Sequence, residues 1–186
     1  MIELIHWFST NYPEHKRALQ NSHHNFDDRE TNPYHLEGDC WSHTMMVCKI
    51  AQLKEYDPVV QVASLLHDIG KPASRKVNPK NNHVQFFGHE ALSAEIAEPL
   101  VADLVEKEML TQNEAEETLE LIAFHSYLYK QTEEEIYQKF KGRAVFFKHL
   151  IELGICDDLG RFAMPMGKSA IDVKCILEKI ENSSTL

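Results

Sequence analysis

In SLLHDIGKP, residues Ser64 to Pro72, an apolar run ends on two ionisable neighbours, His67 and Asp68, and Gly70 and Pro72 then stop the helix. A buried Asp is costly unless it is paired or coordinates a cation, and the His beside it offers a neutral nitrogen ligand. Adjacent helical residues diverge by about 100°. Both therefore reach one ion only from a last, opening turn, and further ligands must arrive from other helices. Four segments offer them at the edges of apolar helical faces: His43 in DCWSHTMMVCKIAQL, His89 in FFGHEALSAEIAEPL, His125 in LELIAFHSYLY, and the carboxylates Asp157 and Asp158 in LIELGICDDLGR. Singly, each has an ordinary reading as a core imidazole or a solvated helix end. Together they make an imidazole and carboxylate set suited to Mn, Fe, Co, Ni, Zn or Mg. The chemistry implied is that of a divalent-metal centre.

The elements that must position these groups are helical. Apolar residues recur mostly at helical spacing, which predicts helices at about 2–9, 13–21, 39–54, 57–69, 89–106, 111–128, 132–140, 143–160 and 168–181. Only SRKVNPKNNHVQFFG leans toward strand, with two short pieces flanking the turn-rich Asn78–Asn82; this suggests a hairpin. Residues 22–38, SHHNFDDRETNPYHLEG, read as a long polar loop, a kind that is often functional. His23, His24 and His35 fall in it, as mobile residues near the mouth of a site, and His83 falls in the hairpin as a surface residue. His6, His15 and His149 read as structural or exposed. The expected fold is all-α, a helical bundle with one small β-hairpin.

At 186 residues the chain fits a single domain, 1–186, with a core of its own. No apolar run approaches the ~18–20 residues that span a bilayer, and MIELIHWFST lacks the pattern of a secretory signal. Cysteines 40, 48, 156 and 175 show no CxxC spacing; they read as reduced thiols of a cytoplasmic protein. The formal charge of −10, with no Lys/Arg-rich run, disfavours long duplex nucleic acid as a partner. A small anionic substrate held by local cations or by metal stays open.

SHTMMV, SLLHDIGKP and CDDLGR, taken in order, resemble the HD-domain metal-dependent phosphohydrolase superfamily, over about residues 33–161. Within it, NPYHLEGDCWSHTMMV, LLHDIGKPASRKV and VQFFGHEALSAEI are similar to the HD domains attached to bacterial tRNA nucleotidyltransferases. No Gly-Ser nucleotide signature stands before the loop, so a free-standing HD domain is expected, flanked by N-terminal helices and loop (1–32) and a C-terminal helix and tail (168–186). The resemblance implies metal ligands at His43, His67, Asp68 and Asp157. The resemblance prefers Asp157 to Asp158, because Asp157 occupies the family aspartate's place, four residues before Arg161. It implies His89 and His125 for a second ion, with Asp68 bridging. Ser126 stands where some two-metal relatives carry another His.

What the resemblance implies chemically is hydrolysis of a phosphoester in a nucleotide or short nucleotide end, such as a nucleoside mono- or triphosphate or a 2′,3′-cyclic phosphate. A cation in such a site lowers the pKa of bound water toward ~7 and offsets phosphoryl charge. Asp68 and Lys71 are the expected catalytic residues. Lys71, Arg75, Lys130 and Arg161 are the candidates for substrate phosphate, and the alternative is a catalytically silent module that binds a nucleotide or partner. Membrane attachment is not expected. Phe146 and Phe147, read as exposed, and Val173, Ile176, Leu177 and Ile180 offer packing surfaces within or between chains, so the oligomeric state stays open.

Overall fold

Asp39 starts the helix that carries His43: its carboxylate accepts the Ser42 N–H at 2.9 Å, satisfying one of the amide donors that a helix start leaves open. The structure, a computed structural model, describes residues 1–25, 31–33, 35–162 and 173–183. The chain opens with α1 (Ile2–Asn11) and α2 (Pro13–Asn21), and the Asp39-capped helix is α3 (Cys40–Leu53). Next comes α4 (Pro58–Leu66), begun by the Asp57 side chain on Val59 N–H and by Pro58 in the first turn, where a missing N–H costs nothing. The short α5 (Lys71–Ser74) leads into a hairpin of β1 (Lys76–Val77) and β2 (Val84–Gln85), antiparallel with Val77 opposite Val84. Then follow α6 (His89–Glu106), α7 (Gln112–Phe124), a 3-10 turn (Tyr127–Tyr129), α8 (Glu133–Phe140), α9 (Ala144–Leu159) and α10 (Val173–Ser183). Reciprocal capping boxes, Thr111 with Glu114 and Thr132 with Glu135, start α7 and α8.

α4 is the axis of the bundle. It packs on α3, α7 and α9, while α6 lies along α7. Every residue from Val59 to Leu66 except Gln61 is buried, so the end of this helix delivers His67 and Asp68 to the interior rather than to the surface. Leu66, Leu121, Ile122, Leu150 and Leu153 fill the space between α4, α7 and α9. All four cysteines are free thiols. No helix among the described residues is long and apolar enough to cross a membrane.

Two helices end earlier than their apolar periodicity predicts, α4 at Leu66 and α7 at Phe124. In both, the next residue is a His that donates its Nδ1–H to the carbonyl three residues back, Ser64 O at 3.0 Å and Ile122 O at 2.7 Å. The imidazole thus takes a carbonyl that further helix would have used. Phe146 and Phe147 are buried, not exposed, because they pack on Phe140 with ring centroids 5.6 and 5.4 Å away. Ile176 and Ile180 of α10 are buried too, against α8 and α9 of the same chain. The part of the expected helix at 168–172 lies outside the described residues.

Two close approaches bring the site together. The Gly70 N–H donates to Ser93 Oγ at 2.9 Å, and a Cβ on Gly70 would lie 2.7 Å from Ser93 N and 2.8 Å from His89 O. At the end of α9, a Cβ on Gly160 would lie 2.9 Å from Val47 N of α3. Gly70→Ala is expected to push the His67–Asp68 turn off α6 and to destabilise the fold by about 1–3 kcal/mol, the usual range for overpacking. Denaturant unfolding measures this, and an unchanged midpoint would show that the turn has room.

Candidate metal centre

Five elements converge on Asp68. His43 comes from inside α3, His67 and Asp68 from the turn that ends α4, His89 from the first position of α6, His125 from the turn after α7, and Asp157 from the last turns of α9. His43 Nε2 lies 3.1 Å from Asp157 Oδ1, 3.4 Å from His67 Nε2 and 3.5 Å from Asp68 Oδ2. His67 Nε2 is 3.2 Å from the same Asp68 oxygen. On the other side, Asp68 Oδ1 faces His89 Nε2 at 3.3 Å and His125 Nε2 at 3.8 Å, and those two nitrogens are 3.1 Å apart. The donors form two sets, one of His43, His67 and Asp157 and one of Asp68, His89 and His125, with each set's ligand atoms within 4.8 Å of one another. Neighbouring ligands about 2.1 Å from a shared ion stand about 3.0–3.4 Å apart, so these spacings suit a cation.

The orientation of the rings is set from behind. His67, His89 and His125 donate Nδ1–H to backbone carbonyls of Ser64, Phe86 and Ile122. This leaves Nε2 unprotonated in the neutral ring and pointed at Asp68, the tautomer a metal ligand needs. Asp68 itself is 1% exposed. Neither of its oxygens receives a hydrogen bond of ordinary geometry, although Lys71 Nζ lies 2.6 Å from Oδ2. Two buried carboxylate oxygens facing a ring of imidazole nitrogens are the observation by which the residues fit a divalent cation.

Burial opposes ionisation of Asp68, but the charges of His67 and Lys71 outweigh it and hold the carboxyl well below its ordinary range. Asp157 is likewise held low against burial, chiefly by its hydrogen bond with His43. Burial disfavours a charged His43, yet Asp157 and Glu37 prevail and raise its pKa to about 9. His125 moves the other way, lowered to about 3 by burial and by the neighbouring His67 and His89. In the metal-free protein the His43 proton and the Lys71 ammonium thus face three carboxylates, Asp68, Asp157 and Glu37.

Asp157 faces the centre, whereas Asp158 is exposed and pairs with Arg161. Solvent reaches the site from the side of Asp157 and His89, whose side chains are 10% and 14% exposed. Arg161 lies at that rim, 4.0 Å from Asp157 Oδ2 and over the Tyr129 ring at 5.2 Å. Lys130 is mostly exposed and is held by Glu90, the residue after His89. Arg75 stands apart, its Nε donating to His23 O at 2.9 Å. Lys71 is buried within the site, its ammonium 3.2 Å from His24 Nε2 and 3.5 Å from His35 Nε2.

His24 and His35 therefore sit inside and not at a mobile mouth. Their rings stack 4.2 Å apart, and burial, then the Lys71 charge, keeps both neutral, His35 with a pKa near 4. The segment is folded in by backbone bonds, His24 N–H to Gly38 O at 2.7 Å and Cys40 N–H to Ser22 O at 2.9 Å. Glu37 is the other inward residue that the spacing of apolar positions does not reveal; with no periodicity in residues 22–38, its type alone was the available signal. His83 is half-buried in the hairpin, and His149 is buried against Glu117.

Asp157→Ala is expected to weaken manganese binding by more than about 100-fold, beyond the usual effect of an outer partner, and Asp158→Ala to leave it nearly unchanged. Calorimetric titration decides, and equal effects would remove Asp157 from the ligand set. Because His43 carries a proton up to pH about 9, a bound cation must displace it. Affinity is then expected to fall about tenfold for each pH unit below that value, and a titration flat between pH 6 and 8 would contradict it.

A 59-residue stretch is 37% identical to the CC-adding tRNA nucleotidyltransferase of Thermus thermophilus, covering 31% of this chain and 14% of that protein. The shared stretch is thus a small part of the relative's length. No solved structure matches the chain. The model of the HD domain family matches residues 40–176, a span that holds all six ligand candidates. The chain belongs to the HD domain family.

Proposed function

We propose that this protein is a metal-dependent phosphohydrolase acting on a phosphoester of a nucleotide or a short nucleotide end. The observation that carries the reading is the buried Asp68 carboxylate, with both oxygens lacking ordinary hydrogen bonds and ringed by the Nε2 atoms of His43, His67, His89 and His125. When bound there, a divalent cation supplies a lowered pKa for water and a counter-charge for the phosphoryl group. His43, His67, Asp68 and Asp157 would hold one ion, and Asp68, His89 and His125 a second. Asp68, whose Oδ2 faces His43 and His67 and whose Oδ1 faces His89, would also orient the attacking water. Lys71, already 2.6 Å from Asp68, meets a non-bridging phosphate oxygen. Arg161 and Lys130 lend positive charge at the open rim, where they are now paired with Asp158 and Glu90.

Two features support a small nucleotide substrate. The net charge of −10 opposes wrapping by long nucleic acid, and the ligand candidates are almost wholly covered, Asp157 and His89 being the most exposed at 10% and 14%. The partial relative is named for adding CC to tRNA, which makes a nucleotide terminus the natural first candidate. Nucleoside mono-, di- and triphosphates and 2′,3′-cyclic phosphates are the substrates to screen, with Mn, Co or Ni loaded. Turnover of at least one is expected, with Asp68→Ala losing at least about 10²-fold in kcat. Metal binding without turnover of any of them would replace the enzyme reading by that of a catalytically silent nucleotide-binding module.

A further inference from the structure

His43 is held differently from the other three imidazoles of the centre. His67, His89 and His125 stand at helix ends, where a carbonyl three residues back takes the Nδ1–H. His43 lies inside α3, where the carbonyls are already used: Asp39 O accepts the His43 N–H at 3.2 Å, and Cys40 O accepts the Thr44 hydroxyl at 2.9 Å. Its Nδ1 must find a partner from outside the helix. Glu37 Oε1 lies 3.0 Å from it, although off the line of that N–H. The same oxygen accepts the His35 Nδ1–H at 2.7 Å, and the two rings meet edge to face with centroids 4.8 Å apart.

The other Glu37 oxygen accepts the Phe162 N–H at 3.1 Å. Beside it, the Leu36 N–H bonds Phe162 O at 2.7 Å, which ties this segment to the chain just beyond Asp157. The Glu37 side chain is only 2% exposed. A buried carboxylate in that place serves three groups at once, and none of them is the cation.

We propose that Glu37 is a positioning residue that fixes the tautomers of two imidazoles together, the metal-facing His43 and the lysine-facing His35. With Nδ1–H turned to the carboxylate, the His35 ring presents a bare Nε2 inward, and the His43 ring does so once a cation displaces its second proton. For His43 that nitrogen faces Asp157 and Asp68 at 3.1 and 3.5 Å. For His35 it faces the Lys71 ammonium at 3.5 Å, beside the His24 Nε2 that meets the same ammonium at 3.2 Å. One carboxylate thereby couples the ligand set to the seat of Lys71. Outer carboxylates of this kind orient a ligand ring and raise its basicity, and their loss typically costs 10–100-fold in metal affinity. The His43 half of the proposal rests on the metal-centre reading; the His35 half does not.

The test compares wild type, Glu37→Gln, which keeps an acceptor without the charge, and Glu37→Ala, which keeps neither. Long-range proton–nitrogen spectra of histidine-labelled, metal-free protein report the His35 tautomer, with a His35→Asn sample to assign the signal. Wild type and Glu37→Gln are expected to hold the Nδ1–H form, and Glu37→Ala to shift to Nε2–H. Manganese titration is expected to show a 10–100-fold loss for Glu37→Ala and a smaller loss for Glu37→Gln. Persistence of the Nδ1–H form in Glu37→Ala, or unchanged manganese affinity, overturns the proposal. If Glu37→Ala does not fold, Glu37→Gln decides: a kept tautomer with weakened binding supports it, and wild-type affinity overturns it. If wild type binds no manganese, the proposed function fails, and the His35 tautomer alone rules on Glu37.

Discussion

A carboxylate that the fold buries on the axis of its most enclosed helix is the constraint from which the rest follows. α4 is apolar on nearly every side, so its C-terminal turn lies in the interior and Asp68 lies there with it. An ionised carboxylate in such a place survives only beside compensating charge or aligned dipoles. Lys71 supplies one cation and the proton of His43 another. Four imidazoles, an ammonium and a second carboxylate crowd the space around a single residue. That arrangement is unfavourable as mere packing and well suited to a cation.

The crowd is kept in order by a local device used three times. A His placed at a helix end reaches back to a carbonyl of its own segment, ends or precedes the helix, and presents its far nitrogen inward. Because the anchor is backbone, it is built into the chain's local geometry and needs no distant partner. His43 lacks that option inside α3 and depends on a residue from the preceding loop. The same loop brings His24 and His35 to the Lys71 ammonium, so the segment between α2 and α3 contributes to both the ligand side and the lysine side of the centre.

Charge around the centre is graded. The interior sets three carboxylates, Asp68, Asp157 and Glu37, against the two cations Lys71 and His43, while Arg161 pairs with Asp158 and Lys130 with Glu90. In each pair one side chain is largely covered, Arg161 at 17% and Glu90 at 13% exposure, and its partner is open to water.

The helical frame, the hairpin and the candidate status of His43, His67, Asp68, His89, His125 and Asp157 were legible in the chain. Apolar periodicity locates helices, and a His-Asp pair at the end of a buried run has no apolar purpose. The resemblance favoured Asp157 over Asp158, and in the structure Asp157 lies 3.1 Å from His43 while Asp158 is exposed. Where the helices stop, at Leu66 and Phe124, was not legible, because an imidazole competing for a carbonyl leaves no trace in periodicity. Nor was the inward folding of His24, His35 and Glu37, nor the burial of Phe146 and Phe147. Those depend on contacts across many residues, such as Glu37 to Phe162 and His24 to Lys71. Residue types name what chemistry a chain carries; only the packing of one segment on another decides which of its polar groups leave water, since burial is a property of neighbours in space.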